Sequence, residues 1–489
     1  MSTTAATGFC RVTVVAPDSR IDVALPVDIA IADIYPEVLR LTGQTQPVGT
    51  PTGYHLVRRD GTVLEGARTL ADERVLDGEV LSLRPFAESL PPAVHDDVSD
   101  AVASAVVRDR HLWSDDLLRV SGLIGGALLL LLVGFVLWYA DPVRHDMQGL
   151  PGIIEGGLGV ILTAYAAVRA RVYADRAATV ALGLAALPLL LLAGSGIVGP
   201  VDGQGPGKLQ FMLGCVAVLV ASVALVALTP SGDAPFVAST FLAAVGTLAT
   251  FLAIVTDASA TDAAAVCAPV AIGLVAFLPG LSARFARLPI GYASPRSSTH
   301  EDFDLDPGQG PDTDPLDAER IAAQARRGHE MLLGLVGGTA AVAVASTAVL
   351  GFSDNVWAKL LALATGLAML IRARLFRYTS QVACALVAGL MAIALLLVGL
   401  ALNPPAEALT EFVLHNDRGA LDFRTIWLTA AIAAGAALIT AIGLIVPQKG
   451  LSPFWGRLLD IAEGFVLLTL IPLCLAVLGV LTTVRSLTG

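Results

Sequence analysis

The sequence predicts an α-helical polytopic membrane protein with a small α+β domain in front. Three observations carry that class. Hydrophobic residues make up 55% of the 489 positions, and the mean hydropathy of +0.73 is far above soluble norms. Charged residues are only 15%, and beyond Leu117 they retreat to short clusters between long apolar runs. Before that point the chain reads as short strands and turns, as in TVLEGARTLADERVLDGEVLSLRPF at 62–86.

The front domain, residues 1–90, follows in order. RVTVVAP (11–17) and RIDVALPVD (20–28) alternate apolar and polar residues around Pro-Asp-Ser, the signal of a β-hairpin. Ile29, Ile31, Ile34, Val38 and Leu41 fall mostly at helical spacing, with Gly43 as the expected C-cap. YHLVRRDG, a TVLEG hairpin partner, a one-turn helix in TLADERVLDGE and a last strand, VLSLRPF, complete a β-grasp order. RTLADERVLDGEVLSL resembles the closing half of ubiquitin, and the likeness covers roughly residues 9–86. No diglycine tail follows, because the strand runs into Pro85-Phe86 and the chain continues. The first lysine is Lys208, which excludes a lysine-linked polymer on this domain. What such a module offers is a sheet surface for a partner, with Arg58, Arg59 and Arg84 as candidate contacts expected on strands.

Residues 91–117 predict an amphipathic linker helix, with Val94, Val98, Ala101, Val102, Ala105 and Val106 on one stripe. Residues 1–116 hold ten arginines against eighteen acidic side chains. That balance argues against nucleic acid or an anionic lipid surface as a bulk electrostatic partner.

In the membrane domain, 118–489, a span needs about 20 mostly apolar residues. Eleven runs qualify: 118–140, 152–170, 177–198, 209–229, 235–255, 263–281, 330–351, 356–372, 380–401, 425–446 and 461–484. Arg169, Arg171, Arg176, Arg284, Arg287, Arg372, Arg374, Arg377, Lys449 and Arg457 follow even-numbered spans, so the positive-inside rule places the N-terminus in the cytoplasm. No charged n-region or long h-region opens the chain, which points the same way. Eleven spans then put the C-terminus outside, in a plasma membrane. The largest outer loop, 403–424, has room for a brief helix.

The inner connection 282–328 contains an acidic, Pro- and Gly-rich stretch that cannot bury a core. Asp304, Asp306, Asp312 and Asp314 are its candidate contacts to a cytosolic partner. AERIAAQARRGHE is expected to lead helically into the seventh span.

The search for chemistry finds no HExxH, paired CxxC, G-x-S-x-G or GxxxxGK[ST] signature. The histidines are scattered, and the five cysteines show no disulfide spacing. Catalytic, cofactor and metal sites are therefore not expected. Glu155 and Glu463 are each expected about one turn inside a span, facing an interface, so no span centre carries an ionisable residue. Small-residue faces at Gly122/Gly126, Gly152/Gly156 and Gly334/Gly338 permit close helix contact and self-association.

A ubiquitin-like front domain, a linker helix and eleven spans with the longest inner loop after the sixth resemble the EccD family. Its members are polytopic subunits of the type VII (ESX) secretion system of mycobacteria and other actinobacteria. The resemblance implies a non-enzymatic scaffold. In it, two copies pair around a lipid-filled space and assemble with EccB, the ATPase EccC and EccE. The alternative from the residues alone is a secondary transporter or lipid flippase with a regulatory front domain, for which the sequence shows no internal repeat.

Overall fold

A computed structural model describes residues 8–16, 19–43, 54–85, 114–201, 205–229, 234–286, 318–449, 452–480 and 486. The chain forms two compact units, Met1–Leu112 and Trp113–Gly489. The linker stretch 91–112 and Asp304, Asp306, Asp312 and Asp314 lie outside the described residues.

The first unit is a four-stranded mixed sheet, β1 (Phe9–Val15), β2 (Arg20–Pro26), β3 (Tyr54–Arg58) and β4 (Glu79–Pro85), in the order β2-β1-β4-β3. β1 pairs antiparallel with β2 and parallel with β4, Val12 opposite Glu79, and β3 closes the sheet antiparallel to β4. Helix α1 (Ile31–Thr42) buries Ile31, Ile34 and Val38 against Val12, Val14, Leu56, Leu81 and Leu83. It ends at Gly43, whose φ of 68° is the left-handed cap that glycine takes without strain.

One expected element is shorter than the sequence suggests. TVLEG makes one bridge, Val57 to Val63, and then leaves β3, because Gly66 turns inward to accept the Ala32 N–H at the start of α1. The expected one-turn helix is a single turn, fastened by Thr69 and Asp72 and stopped by Arg74 at φ 52°. Its hydrogen-bonded stretch is too brief to propagate.

The second unit contains α2 (Asp115–Trp138), α3 (Leu150–Arg171), α4 (Arg176–Ser195), α5 (Lys208–Leu228), α6 (Ala234–Val255), α7 (Ala260–Leu274) and α8 (Leu278–Phe285). There follow α9 (Ala318–Gly351), α10 (Val356–Arg372), α11 (Thr379–Leu402), α12 (Ala406–His415), α13 (Gly419–Lys449) and α14 (Pro453–Val477). A 3₁₀ turn, Val275–Phe277, joins α7 to α8 into one span, giving 11 helical stretches long and apolar enough to cross a membrane among the described residues. α12 lies in the loop between α11 and α13.

α9 runs for 34 residues, roughly 50 Å at about 1.5 Å per residue. That exceeds a hydrocarbon core of about 30 Å, so its first turns, through Arg326 and Arg327, stand outside the apolar layer. The last span starts at Pro453, earlier than the expected 461. Proline suits a first helical turn, and Gly479 at φ 69° follows the end of the helix at Val477.

Lipid gives apolar helices no hydrophobic reason to associate, so close packing of small residues must hold them. α6, α7, α9, α10 and α11 form the main core through Ala265, Ala268, Ala340, Ala362, Ala368 and their neighbours. A Cβ at Gly334 or Gly338 on α9 would sit 2.7 Å from the Ala234 carbonyl or 2.8 Å from Phe241 on α6.

Candidate assembly surfaces

Alternate spans sort the charges onto two faces. One carries Arg119, Arg169, Arg171, Arg176, Arg284, Arg326, Arg327, Arg372, Arg374, Arg377, Lys449 and Arg457; the opposite face has Arg144, Lys208, Lys359, Arg418 and Arg424. The arginine-rich face holds two ion clusters. At the first, Asp175 takes Arg119 at 2.5 Å and Arg169, and it caps α4 by accepting the Ala178 N–H at 3.2 Å. Burial pushes this carboxyl up, but Arg169, the Ala178 N–H and Arg119 outweigh it and hold it below the usual aspartate range.

At the second cluster, Arg374 pairs with Glu463 and with Asp460, each at 2.7 Å. Arg372, 9% exposed, donates to the Ile272 carbonyl at 2.6 Å and lies 3.5 Å from Glu463. Glu463 is therefore ion-paired at the arginine-rich face, where α10 ends. It sits near the middle of α14, with its partners at the end of α10. The displaced start of the last span moved it there.

These clusters pin two of the three helices that packing holds least, α2 and α14. Among the described residues of α2 only Gly134 is buried, and of α14 only Leu470 and Val477. Among its described residues α13 buries Leu428 alone and exposes Ile426, Trp427, Ile432, Leu438, Ile442 and Ile445.

The expectation for Glu155 is overturned. It is 0% exposed, and neither carboxyl oxygen has a hydrogen-bond partner among the described residues. A Cβ added to Gly134 on α2 would lie 4.0 Å from its Oε1. By position it is one turn into α3; Gly134 of α2 and Leu189 of α4 meet beside its carboxyl. The glycine faces differ too. Gly152 lies against the Met147 carbonyl, Gly156 against Ala193 and Gly334/Gly338 against α6, all within the chain, whereas Gly122 and Gly126 face open space.

On the first unit, Arg58 ends β3 and is spent internally, on Glu79 at 3.3 Å and the Glu73 carbonyl. Arg59 is exposed in the turn after β3, not on a strand, and Arg84 is exposed on β4 opposite His55. No three His, Cys, Asp or Glu side chains converge on a metal position among the described residues. The five cysteines are unpaired.

An apolar cavity of about 740 Å³ opens among α4, α5, α6, α7 and α9, lined by Leu187, Phe211, Leu242, Gly246, Ala264 and Val349. The cation at its mouth, Lys208, donates to Asp257 at 3.1 Å and to the Ala253 carbonyl at 3.3 Å.

The family description "EccD-like transmembrane domain" matches residues 118–487, most of the chain. The chain belongs to the EccD-like family. A second description, "WXG100 protein secretion system (Wss), protein YukD", matches residues 9–83, the β-grasp unit. The ESX-4 secretion system protein eccD4 of Mycobacterium tuberculosis, in strains CDC 1551 and H37Rv, is 27% identical over 494 residues, covering 98% of both chains. Protomer 1 of the ESX-3 core complex shares the EccD-like fold with a TM-score of 0.59 at 20% identity, over 97% of this chain and 100% of that one. The MycP5-free ESX-5 inner membrane complex in its State II matches with a TM-score of 0.54 at 21% identity, over 88% and 99%.

Proposed function

We propose that the chain is a non-enzymatic structural component of the inner-membrane complex of a type VII (ESX) protein-secretion system. It would scaffold a separate ATPase and other subunits. Membership of the EccD-like family along residues 118–487 carries this reading. The physical design supports it: ionic groups knit helices together at one membrane face, and the least buried spans, α2, α13 and α14, expose long apolar surfaces. Bulk lipid satisfies such surfaces, but spans packed so little within the chain leave room for neighbours. A subunit of an assembly covers them with neighbours or with lipid held between them.

In this proposal the arginine-rich face is cytoplasmic, as the positive-inside rule requires, and the β-grasp unit lies on that side. EccB, EccC and EccE type subunits are the partners, and two copies of the chain pair through α13. On the first unit, Arg59 and Arg84 are the free candidates, and Asp304, Asp306, Asp312 and Asp314 mark a second contact to the ATPase.

The test is co-purification of the ATPase with chains lacking residues 9–86 or residues 291–317. Either deletion should lower ATPase recovery while leaving membrane insertion intact. Full recovery with both deleted contradicts the contact assignment.

A further inference from the structure

We propose that Glu155 is a proton-binding site buried in the membrane, and that the proton it holds keeps α2 seated against α3 and α4. Its carboxyl is wholly enclosed and has no partner among the described residues. The surroundings are apolar: Leu189 and Leu192 of α4 meet Gly134 of α2 beside the carboxyl, and Leu130, Leu158, Leu162, Leu182 and Ala186 continue that packing along the three helices. An ionised carboxylate held there without a donor or cation from the described residues costs far more than the neutral acid. The closed arrangement is therefore one of the neutral acid.

No neighbouring charge alters this. α2 carries none between Arg119 and its end at Trp138, and α4 none beyond Arg176. On α3 the other ionisable groups, Tyr165, Arg169 and Arg171, lie toward the far face. The α2–α3 loop brings Asp141, Arg144, His145 and Asp146 to the near face. Asp141 accepts the Val143 and Arg144 N–H groups, and Asp146 accepts the Gln148 N–H. The His145 ring stacks on Trp138 and its Nδ1 lies 3.1 Å from the Trp138 carbonyl.

α2 is the lid. Gly134, its one buried residue, rests on Leu189 beside the Glu155 carboxyl, so seating the helix and burying the acid are the same event. The other end of α2 is tied by Arg119 to Asp175. When the Glu155 O–H bond breaks, the proton passes to water entering from the near face, and the ionised group demands hydration. The Gly134 end of α2 then lifts while the Arg119 end stays tethered. No second acid, base or lysine lies along α2, α3 or α4 within the membrane to receive that proton. The site therefore stores a proton and returns it to the same side; it is not a transport relay.

The experiment uses the full chain in lipid nanodiscs over a series from about pH 5 to about pH 9. Dicyclohexylcarbodiimide, which reacts with protonated carboxyls in apolar surroundings, is mapped onto Glu155 by mass spectrometry. Hydrogen exchange of residues 128–139 is followed in parallel and corrected for intrinsic rate. Labelling that fades as exchange rises, with one common midpoint, supports the proposal. So does loss of the pH response of exchange in E155Q. Glu155 unreactive throughout, separate midpoints in the wild type, or an unchanged exchange response in E155Q overturns it. The two wild-type curves decide the matter even where E155Q fails to fold.

Discussion

Arg119, at the start of the least buried helix on the N-terminal side of the membrane unit, meets Asp175 at 2.5 Å in the loop between α3 and α4. The two are unequal partners. Arg119 is half-exposed, whereas the Asp175 side chain is almost wholly buried and serves Arg169 and the α4 N-terminus as well. R119A should therefore cost less than about 1 kcal/mol, the worth of an exposed ion pair. D175A removes the cap and strands Arg169, and should cost about 2–4 kcal/mol. Thermal unfolding of the purified chain in one detergent measures both.

The same carboxyl fixes a pH dependence. Its folded-state affinity for protons is lowered, so its contribution to stability is fully present above the ordinary aspartate value of about 4. That contribution is lost as pH falls through the depressed folded value. The wild type minus D175N difference in unfolding temperature should stay level from neutral pH to about pH 4 and shrink only below it.

Gly338 and Gly126 present a matched pair on apolar helices. A methyl group at Gly338 collides with Phe241 and the Ala238 carbonyl, while one at Gly126 meets nothing within 4 Å. G338A should destabilise by about 1–3 kcal/mol, the usual cost of overpacking, and G126A should be neutral or slightly stabilising. Equal effects in the unfolding assay would contradict the α6–α9 packing.

The arginines of the first unit should separate by role. R58A loses the Glu79 pair and the bond to the Glu73 carbonyl, and should lower stability by about 1–2 kcal/mol. R59E and R84E should leave the melting curve unchanged yet reduce ATPase recovery in pull-down. An R84E variant that melts early would make it structural instead.

The exposed face of α13 should meet its counterpart in a second copy. Single cysteines at Ile432 or Leu438 should crosslink between chains in native membranes, whereas one at Leu428, the buried position, should not. Absence of any α13 crosslink removes this helix from the proposed pairing.

The span that coincides with expectation from end to end is α10, at 356–372. Asn355 caps it by accepting the Trp357 N–H at 2.9 Å, and Arg372 closes it, so both boundaries are written locally. Length and hydropathy likewise make the eleven spans legible. What sequence position alone misjudges is what one helix does to another. Glu155 reads as an interface residue because it is one turn from a helix end; Gly134 of α2 and Leu189 of α4, which meet beside it, belong to other helices. Glu463 reads as a span-end residue until Pro453 starts the helix earlier and Arg374 reaches across from α10. TVLEG alternates like a strand, but Gly66 is drawn to the start of α1. Arg58 and Arg84 look alike in sequence, and only the turn that brings Glu73 beneath β3 separates them.

The most direct measurement is the native mass and composition of the tagged chain after extraction from its own membranes in mild detergent. The account predicts recovery in a hetero-oligomer many times heavier than the 50.4 kDa chain, with an ATPase present. Recovery as a lone chain that moves a solute across liposomes by itself would contradict it.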